Sequence, residues 1–113
     1  MSNNWPETLN NLGKGGAKLA KEIPDVITAF GNLNAAVDQG KVLDAKTREL
    51  ISMAVAVTTR CDGCISAHAA AAHKAGASKE ELAEALGVAI ALNAGAAFVY
   101  STRALEAFDQ LGG

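Results

Sequence analysis

Apolar residues recur at helical spacing along most of the 113-residue chain, and no segment shows convincing strand alternation. Pro24 suits the first turn of a helix, in which apolar side chains then recur every three or four residues until Gly40. Asp44 is a favourable N-cap for a helix over about 45–58. Because the second half of that helix is almost continuously apolar, we expect it to be buried on nearly all sides.

Two more helices follow the predicted 45–58 helix. One covers about 61–75, begins at the sequence Cys-Asp-Gly-Cys, and ends at Gly76, a residue favoured in a left-handed helix cap. Ser78 and Glu81 have the spacing of a capping box for the next helix, over 79–93. These two helices and the preceding one make helical structure the dominant expectation.

The C-terminal third of the chain is the most apolar part. The stretch Gly87–Tyr100 is interrupted by Asn93 and is shorter than the ~18–20 residues needed to cross a bilayer, so we predict a buried helix and no membrane association. Gly95 is expected to kink or break the helix before a final one that ends near Phe108. A frayed tail is expected from Leu111.

Residues 1–22 differ from the rest because they are polar and rich in glycine. We expect them to form an N-terminal arm with a short helix and a loose connection to one helical domain over 23–113. The arm lacks the ~7–15-residue apolar core of a secretory signal, which favours a cytoplasmic location. The formal net charge of -2 comes from interspersed acids and bases, and nucleic acid is therefore not an expected partner.

Candidate chemistry is concentrated in the segment from Cys61 to His68. On an ideal helix Cys64 lies ~60° and His68 ~20° around the axis from Cys61, so the three side chains share one face. The cysteine Cα atoms would be ~5 Å apart, within the range that a disulfide accepts. Both cysteines are expected in the first helical turn, where the helix dipole favours the reactive thiolate.

Glu49 enters the candidate site through the preceding helix. If that helix and the cysteine helix form an antiparallel hairpin that turns near Arg60, Glu49 lies about one turn along the axis from His68. A carboxylate among apolar neighbours would be partly buried and able to act as a base.

Other interpretations of these residues stay open. Cys61, Cys64 and His68 supply three ligands, whereas a structural zinc site usually has four, and a covalent haem site needs His directly after the second cysteine, where Ile65 stands. The cysteines could also be inert packing residues. His73 lies ~120° around the helix from Cys61 and is expected at the surface or at a subunit interface.

The segment Glu49–His68 has an acid twelve residues before the first cysteine, followed by Cys-x-x-Cys-x-x-x-His. This pattern resembles the alkyl hydroperoxidase D-like branch of the carboxymuconolactone decarboxylase superfamily. The flanking segments 45–51 and 72–77 share its pattern. The resemblance implies an all-α, compact domain of about five to six helices with a central antiparallel helical hairpin. It also implies a homo-oligomer, either a trimer or a hexamer.

The same resemblance implies a thiol-dependent peroxidase in which Cys64 becomes the sulfenic acid and Cys61 closes the disulfide. Glu49 and His68 would relay protons. Hydrogen peroxide or an organic hydroperoxide would be the substrate, a lipoyl domain or thioredoxin-like protein the reductant, and no cofactor or metal would be needed. Gly63 stands where the founding type of the family has histidine, so a weaker or water-filled relay is expected.

Two other function classes remain. The wider superfamily includes lactone decarboxylases and related non-redox enzymes, although those do not depend on a CxxC motif. A domain this small has little room for a substrate pocket formed by one chain alone, so it could also be a non-catalytic, thiol-sensing assembly subunit. The peroxidase hypothesis differs from both because it predicts rapid loss of two free thiols when peroxide is added.

Overall fold

The computed structural model describes residues 4–112, and within that range the chain forms five α-helices and no strand. The helices are α1 (Trp5–Glu22), α2 (Pro24–Asp38), α3 (Ala45–Thr58), α4 (Asp62–Lys74) and α5 (Lys79–Leu111). The predicted all-α fold is confirmed. The expected arm over 1–22 includes residues 1–3 and the predicted tail includes residue 113, which lie outside the described residues.

The N-terminal helix is longer than the sequence pattern indicated. α1 has 18 residues rather than forming a short helix, and Ile23 alone separates it from α2, so the expected loose connection is wrong. The helix begins at a strong cap, because Glu7 donates its backbone N–H to the side chain of Asn4 at 3.0 Å. Its glycines face open space, where they cost helix propensity but create no packing conflict.

The α3–α4 pair forms the predicted antiparallel hairpin. The chain turns at Arg60, which has a φ of 55°, and Cys61 donates its backbone N–H to the carbonyl oxygen of Ala56 at 3.1 Å. The predicted bounds of α3 and its N-cap are also confirmed, since Thr47 donates its backbone N–H to Asp44 at 2.8 Å. The hydrogen bonds from Thr47 lower the pKa of the Asp44 carboxyl.

Burial of α3 is less complete than predicted. Met53 and Ala56 are buried, but Ile51 and Val55 on the same helix are exposed. α4 and α5 pack against α3, but Ile51 and Val55 stay exposed along an open groove that they share with Val88 and Leu92 of α5. The expectation of a helix buried all round is therefore wrong for the single chain.

The junction from α4 to α5 follows the sequence prediction closely. Gly76 has a φ of 84°, which is the left-handed conformation predicted for the residue that ends the helix. Ser78 donates its backbone N–H to the Glu81 carboxylate at 2.9 Å, and Glu81 donates its backbone N–H to the Ser78 hydroxyl at 3.0 Å. This capping box starts α5 at the predicted residue.

The predicted break at Gly95 does not occur. α5 is one helix of 33 residues, about 50 Å long, and it ends at Leu111 rather than near Phe108. Nothing lies close to Gly95, so no packing contact forces the helix to end there. The first part of α5 packs on α3, where Asn93 donates to the hydroxyl of Thr58 at 3.0 Å.

The second part of α5, residues 94–111, extends beyond the other helices with its side chains exposed. The stretch Gly87–Tyr100 is therefore largely exposed in the single chain, contrary to the prediction of a buried helix. By length and composition alone α5 could span a membrane: its most apolar window has a mean hydropathy of 1.8, and 6% of that window is buried. The prediction that the apolar region is too short to cross a bilayer is wrong, because that region belongs to one continuous helix of 33 residues.

The interior of the single chain is small. Among residues 4–112, the buried apolar side chains are Met53, Ala56, Ala72 and Ala89, joined by the polar Ser66. The radius of gyration is 18.4 Å, whereas a compact chain of this length has one of ~13 Å. The accessible surface is 8833 Å², against ~5,800 Å² for a compact monomer of this mass.

Candidate functional site

The two cysteines lie at the N-terminal end of α4 and are joined by a disulfide. Their Cα atoms are 5.2 Å apart, close to the predicted spacing. Cys64 is helical, but Cys61 has φ -108° and ψ 101° and is the N-cap residue rather than part of the first turn. The sulfur of Cys61 accepts the backbone N–H of Cys64 at 3.1 Å, and this contact takes the place of a conventional side-chain cap.

The hairpin brings Glu49 of α3 against His68 of α4. Oε2 of Glu49 lies 2.7 Å from Nδ1 of His68, so the predicted proximity is confirmed and is a direct hydrogen bond. The side chain of Glu49 is 16% exposed and that of His68 is 38% exposed. An ionised carboxylate can only accept, so Nδ1 donates the proton and Nε2 of a neutral ring is left as the acceptor.

The disulfide and the Glu49–His68 pair border one cavity of about 470 Å³, here called the cysteine cavity. The sequence predicted this grouping, because His68 follows Cys64 by one helical turn and the hairpin adds Glu49. The remaining lining residues come mainly from helices α1, α2 and α4: Leu12, Phe30, Asn34, Asp38, Gly63, Ala67 and Ala71. Its lining thus combines apolar side chains with amide, carboxylate and imidazole groups.

A second cavity, also of about 470 Å³, meets the cysteine cavity at the Glu49–His68 pair. It lies under the loop that connects α2 to α3. Arg48 holds this loop by donating to the carbonyl oxygens of Gly40 at 3.0 Å and Leu43 at 2.6 Å. The hydrogen-bonded Glu49–His68 pair is therefore reached from two sides, only one of which carries the disulfide.

The contributions of α1 and α2 to the cysteine cavity are not predicted by the sequence. Leu12, Phe30, Asn34 and Asp38 carry no motif, and their approach to the cysteines depends on how two helices fold back over α4. The only sequence signal was Gly63, because a missing side chain between the cysteines leaves room for a neighbour.

Leu12 occupies the space beside Gly63. A Cβ added at residue 63 would lie 3.3 Å from Cδ1 of Leu12. The position that carries histidine in the founding type therefore faces an apolar side chain here. A histidine at this position would collide with α1 unless Leu12 moved.

His73 lies away from the disulfide, as predicted. It is exposed and borders a different cavity with Trp5 and Leu9 on the other side of the α1–α4 contact. Within residues 4–112, no group of three or more His, Cys, Asp or Glu side chains is placed to hold a metal ion.

Comparison with known proteins identifies the family. The model of the carboxymuconolactone decarboxylase family matches residues 24–107, which include all four candidate site residues. The chain belongs to the carboxymuconolactone decarboxylase family. This confirms the resemblance found in the sequence, and the family includes enzymes. The match begins at the start of α2, so α1 lies before the matched region.

Similar proteins agree with this membership. An uncharacterised protein from Haemophilus influenzae is 57% identical over 109 residues, which are 96% of each chain. An uncharacterised protein in the cox locus of Paracoccus denitrificans is 39% identical over 85 residues, covering 75% of this chain and 77% of the other.

Solved structures share the fold. The crystal structure of a carboxymuconolactone decarboxylase family protein from Legionella pneumophila has a TM-score of 0.76 and 38% identity, covering 96% of this chain and 97% of the other. A Methanobacterium thermoautotrophicum protein has a TM-score of 0.70 and 38% identity, covering 75% and 96%. The Legionella structure extends the likeness over α1 as well as the matched family region.

Proposed function

We propose that this chain is a thiol-dependent peroxidase that reduces hydrogen peroxide or organic hydroperoxides through Cys61 and Cys64. The observation that supports it most is the disulfide at the start of α4, which shares a cavity with the hydrogen-bonded Glu49–His68 pair. A reversible dithiol and a proton acceptor are the two components that peroxide reduction by cysteine needs.

The first step oxidises Cys64. Its thiolate attacks the distal oxygen of the peroxide ROOH, an S–O bond forms and the O–O bond breaks. The leaving alkoxide takes a proton, supplied through His68, and departs as ROH. Cys64 is then a sulfenic acid, oxidised by two electrons, and the peroxide has been reduced by two.

The second step closes the disulfide. Cys61 attacks the sulfur of the sulfenic acid, the S–O bond breaks, and the hydroxyl departs as water with the proton of the Cys61 thiol. The Cα separation of 5.2 Å lets the two sulfurs bond without unwinding α4. Fast closure would protect Cys64 from further oxidation.

The cycle then requires an external dithiol, such as a lipoyl group or a thioredoxin-like protein. One thiolate of the dithiol attacks the disulfide, forms a mixed disulfide and releases one cysteine as thiolate. The second thiol displaces the other cysteine and leaves as the oxidised donor. This need for a thiol donor fits the expected cytoplasmic location, because the cytosol keeps thiols reduced.

Roles of the two cysteines can be assigned by trapping the sulfenic acid. Cys61→Ser should form a sulfenic acid on Cys64 that a dimedone-type reagent labels, but it should not turn over. Cys64→Ser should form neither that adduct nor the disulfide. The experiment compares peroxide consumption and the mass of the labelled peptide in both variants and in the unaltered protein.

The result that contradicts the assignment is an adduct on Cys61 in Cys64→Ser with peroxide consumption near the unaltered rate. Absence of turnover with dithiol, lipoamide and thioredoxin donors would contradict the peroxidase proposal itself. The family name favours a second candidate, a non-redox enzyme acting on a lactone. Turnover of a lactone that survives alkylation of both cysteines would establish that candidate instead.

We also propose that the protein acts as a homo-oligomer, a trimer or a hexamer, rather than through a membrane or nucleic acid. The accessible surface exceeds that of a compact monomer by ~3,000 Å², an area typical of obligate interfaces. Exposed apolar residues along α2 and the second part of α5 supply that surface. Light scattering that finds only an 11.5 kDa species at micromolar concentration would contradict this.

A further inference from the structure

The helix that precedes the matched family region forms part of the candidate site. α1 crosses the N-terminal end of α4 at Gly63, which stands between the two cysteines. A Cβ at Gly63 would lie 3.3 Å from Cδ1 and 3.5 Å from Cδ2 of Leu12. A side chain at residue 63 would therefore force the end of the Leu12 side chain to shift away from the start of α4.

Leu12 contributes an apolar wall to the cysteine cavity. It is 47% exposed, and it borders the cavity together with Phe30 of α2, which is 60% exposed. The same cavity is also lined by polar groups: the imidazole of His68, the carboxylates of Glu49 and Asp38, and the amide of Asn34. A molecule that has both a polar group and an apolar group would find contacts for each in this lining.

The size of the cavity is also informative. At about 470 Å³ it falls in the range of small-molecule binding sites, whereas a water molecule takes up ~30 Å³ of liquid. Hydrogen peroxide is close to water in size and would leave most of this space unfilled. An organic hydroperoxide would place its peroxide group at the cysteines and its carbon group against the apolar wall.

We propose that Leu12 is the specificity-determining residue of the site: it binds the carbon group of an organic hydroperoxide, and Gly63 is the glycine that admits it. This inference rests on the proposed peroxidase function and narrows its substrate. Leu12 takes no part in the bond changes at Cys64. Its removal should therefore affect a bulky peroxide and not a small one.

The test compares cumene hydroperoxide with hydrogen peroxide in steady-state assays. Leu12→Ala should lower the ratio of kcat/KM for cumene hydroperoxide to kcat/KM for hydrogen peroxide about ten-fold, the size expected when an apolar pocket contact is lost. Leu9→Ala is the matched control, because Leu9 lies on the same helix but borders the separate cavity that contains His73. It should leave the ratio of the two kcat/KM values unchanged.

Gly63 supplies an independent test of the contact. Gly63→Ala should also reduce kcat/KM for cumene hydroperoxide, since the new methyl group displaces the end of the Leu12 side chain. In a Leu12→Ala background the same methyl group has room, so the two effects should not add. Additive effects would mean that residues 12 and 63 act separately, and would overturn the inference.

A binding measurement separates this inference from the peroxidase proposal. Cumyl alcohol, the product of cumene hydroperoxide reduction, should bind the disulfide form of the protein, with affinity lowered about ten-fold by Leu12→Ala and unchanged by Leu9→Ala. If the unaltered protein turns over neither peroxide, the proposed function fails. Equal effects of Leu12→Ala on both peroxides, or unchanged alcohol binding, would overturn the role of Leu12 alone.

Discussion

The contact between Glu49 and His68 can be tested by changing one atom of the carboxylate. Glu49→Gln keeps the size of the side chain and one acceptor oxygen, but it removes the negative charge that faces Nδ1 of His68. The separation of 2.7 Å is typical of a charge-assisted hydrogen bond. Glu49→Ala removes the acceptor altogether.

The expected slowing of Cys64 oxidation in Glu49→Gln follows from the difference in strength between charged and neutral hydrogen bonds. Hydrogen bonds to charged groups contribute ~1.5–3 kcal/mol and neutral ones ~1 kcal/mol, so the amide should cost ~0.5–2 kcal/mol, with ~1 kcal/mol as the central value. If that difference acts on proton transfer, oxidation of Cys64 should slow about five-fold. Glu49→Ala should slow it ~10²–10⁴-fold, the usual effect of losing a positioned acid or base.

The assay is a single-turnover reaction of the reduced protein with peroxide, in which free thiols are counted at successive times. Circular dichroism checks that each variant keeps its helices. Glu84→Gln is the matched control, because Glu84 is exposed on α5 and lies outside the cysteine cavity. If Cys64 in both Glu49 variants is oxidised at a rate within two-fold of that in the unaltered protein, Glu49 has no role in proton transfer.

Three further predictions concern stability and assembly. Hydrogen bonds from Thr47 lower the pKa of Asp44 from its ordinary value of 3.8. The ionised cap therefore stabilises the fold above pH 3.8, and this stabilisation is lost as the pH falls through the lowered pKa. The difference in Tm between the unaltered protein and Asp44→Ala should shrink accordingly in thermal unfolding measured from about pH 7 to about pH 2. Gly76→Ala should destabilise the fold by ~1–2 kcal/mol in urea because φ is 84°, whereas Gly87→Ala in exposed helix should not destabilise. Phe98→Glu should shift the oligomer towards smaller species in light scattering without loss of helix content.

Local signals in the sequence predicted much of this structure. Asp44 and the Ser78–Glu81 capping box set the starts of α3 and α5, because capping depends only on residues three positions apart. The hairpin was also predictable, since a short connection forces α3 and α4 to be neighbours. With the hairpin in place, the spacing of the cysteine motif was enough to predict the approach of Glu49 to His68.

Features that depend on distant contacts were missed. The Leu12–Gly63 contact joins residues 51 positions apart, and no sequence pattern around either residue predicts the other as its partner. The apolar stretch of α5 was assigned to the interior because hydrophobicity alone does not say which molecule covers it. Gly95 suggests a kink or a break, but a glycine costs only ~1 kcal/mol there and α5 continues through it as one helix.

The small interior of the single chain has a consequence for measurements of its stability. With so few buried side chains, one copy obtains little hydrophobic stabilisation from its own fold. Under the proposed assembly, the remaining stabilisation comes from neighbouring copies, so folding and association are thermodynamically linked. Dilution would then destabilise the fold, and Tm should fall as protein concentration is lowered. No single free energy of unfolding would describe the protein at every concentration.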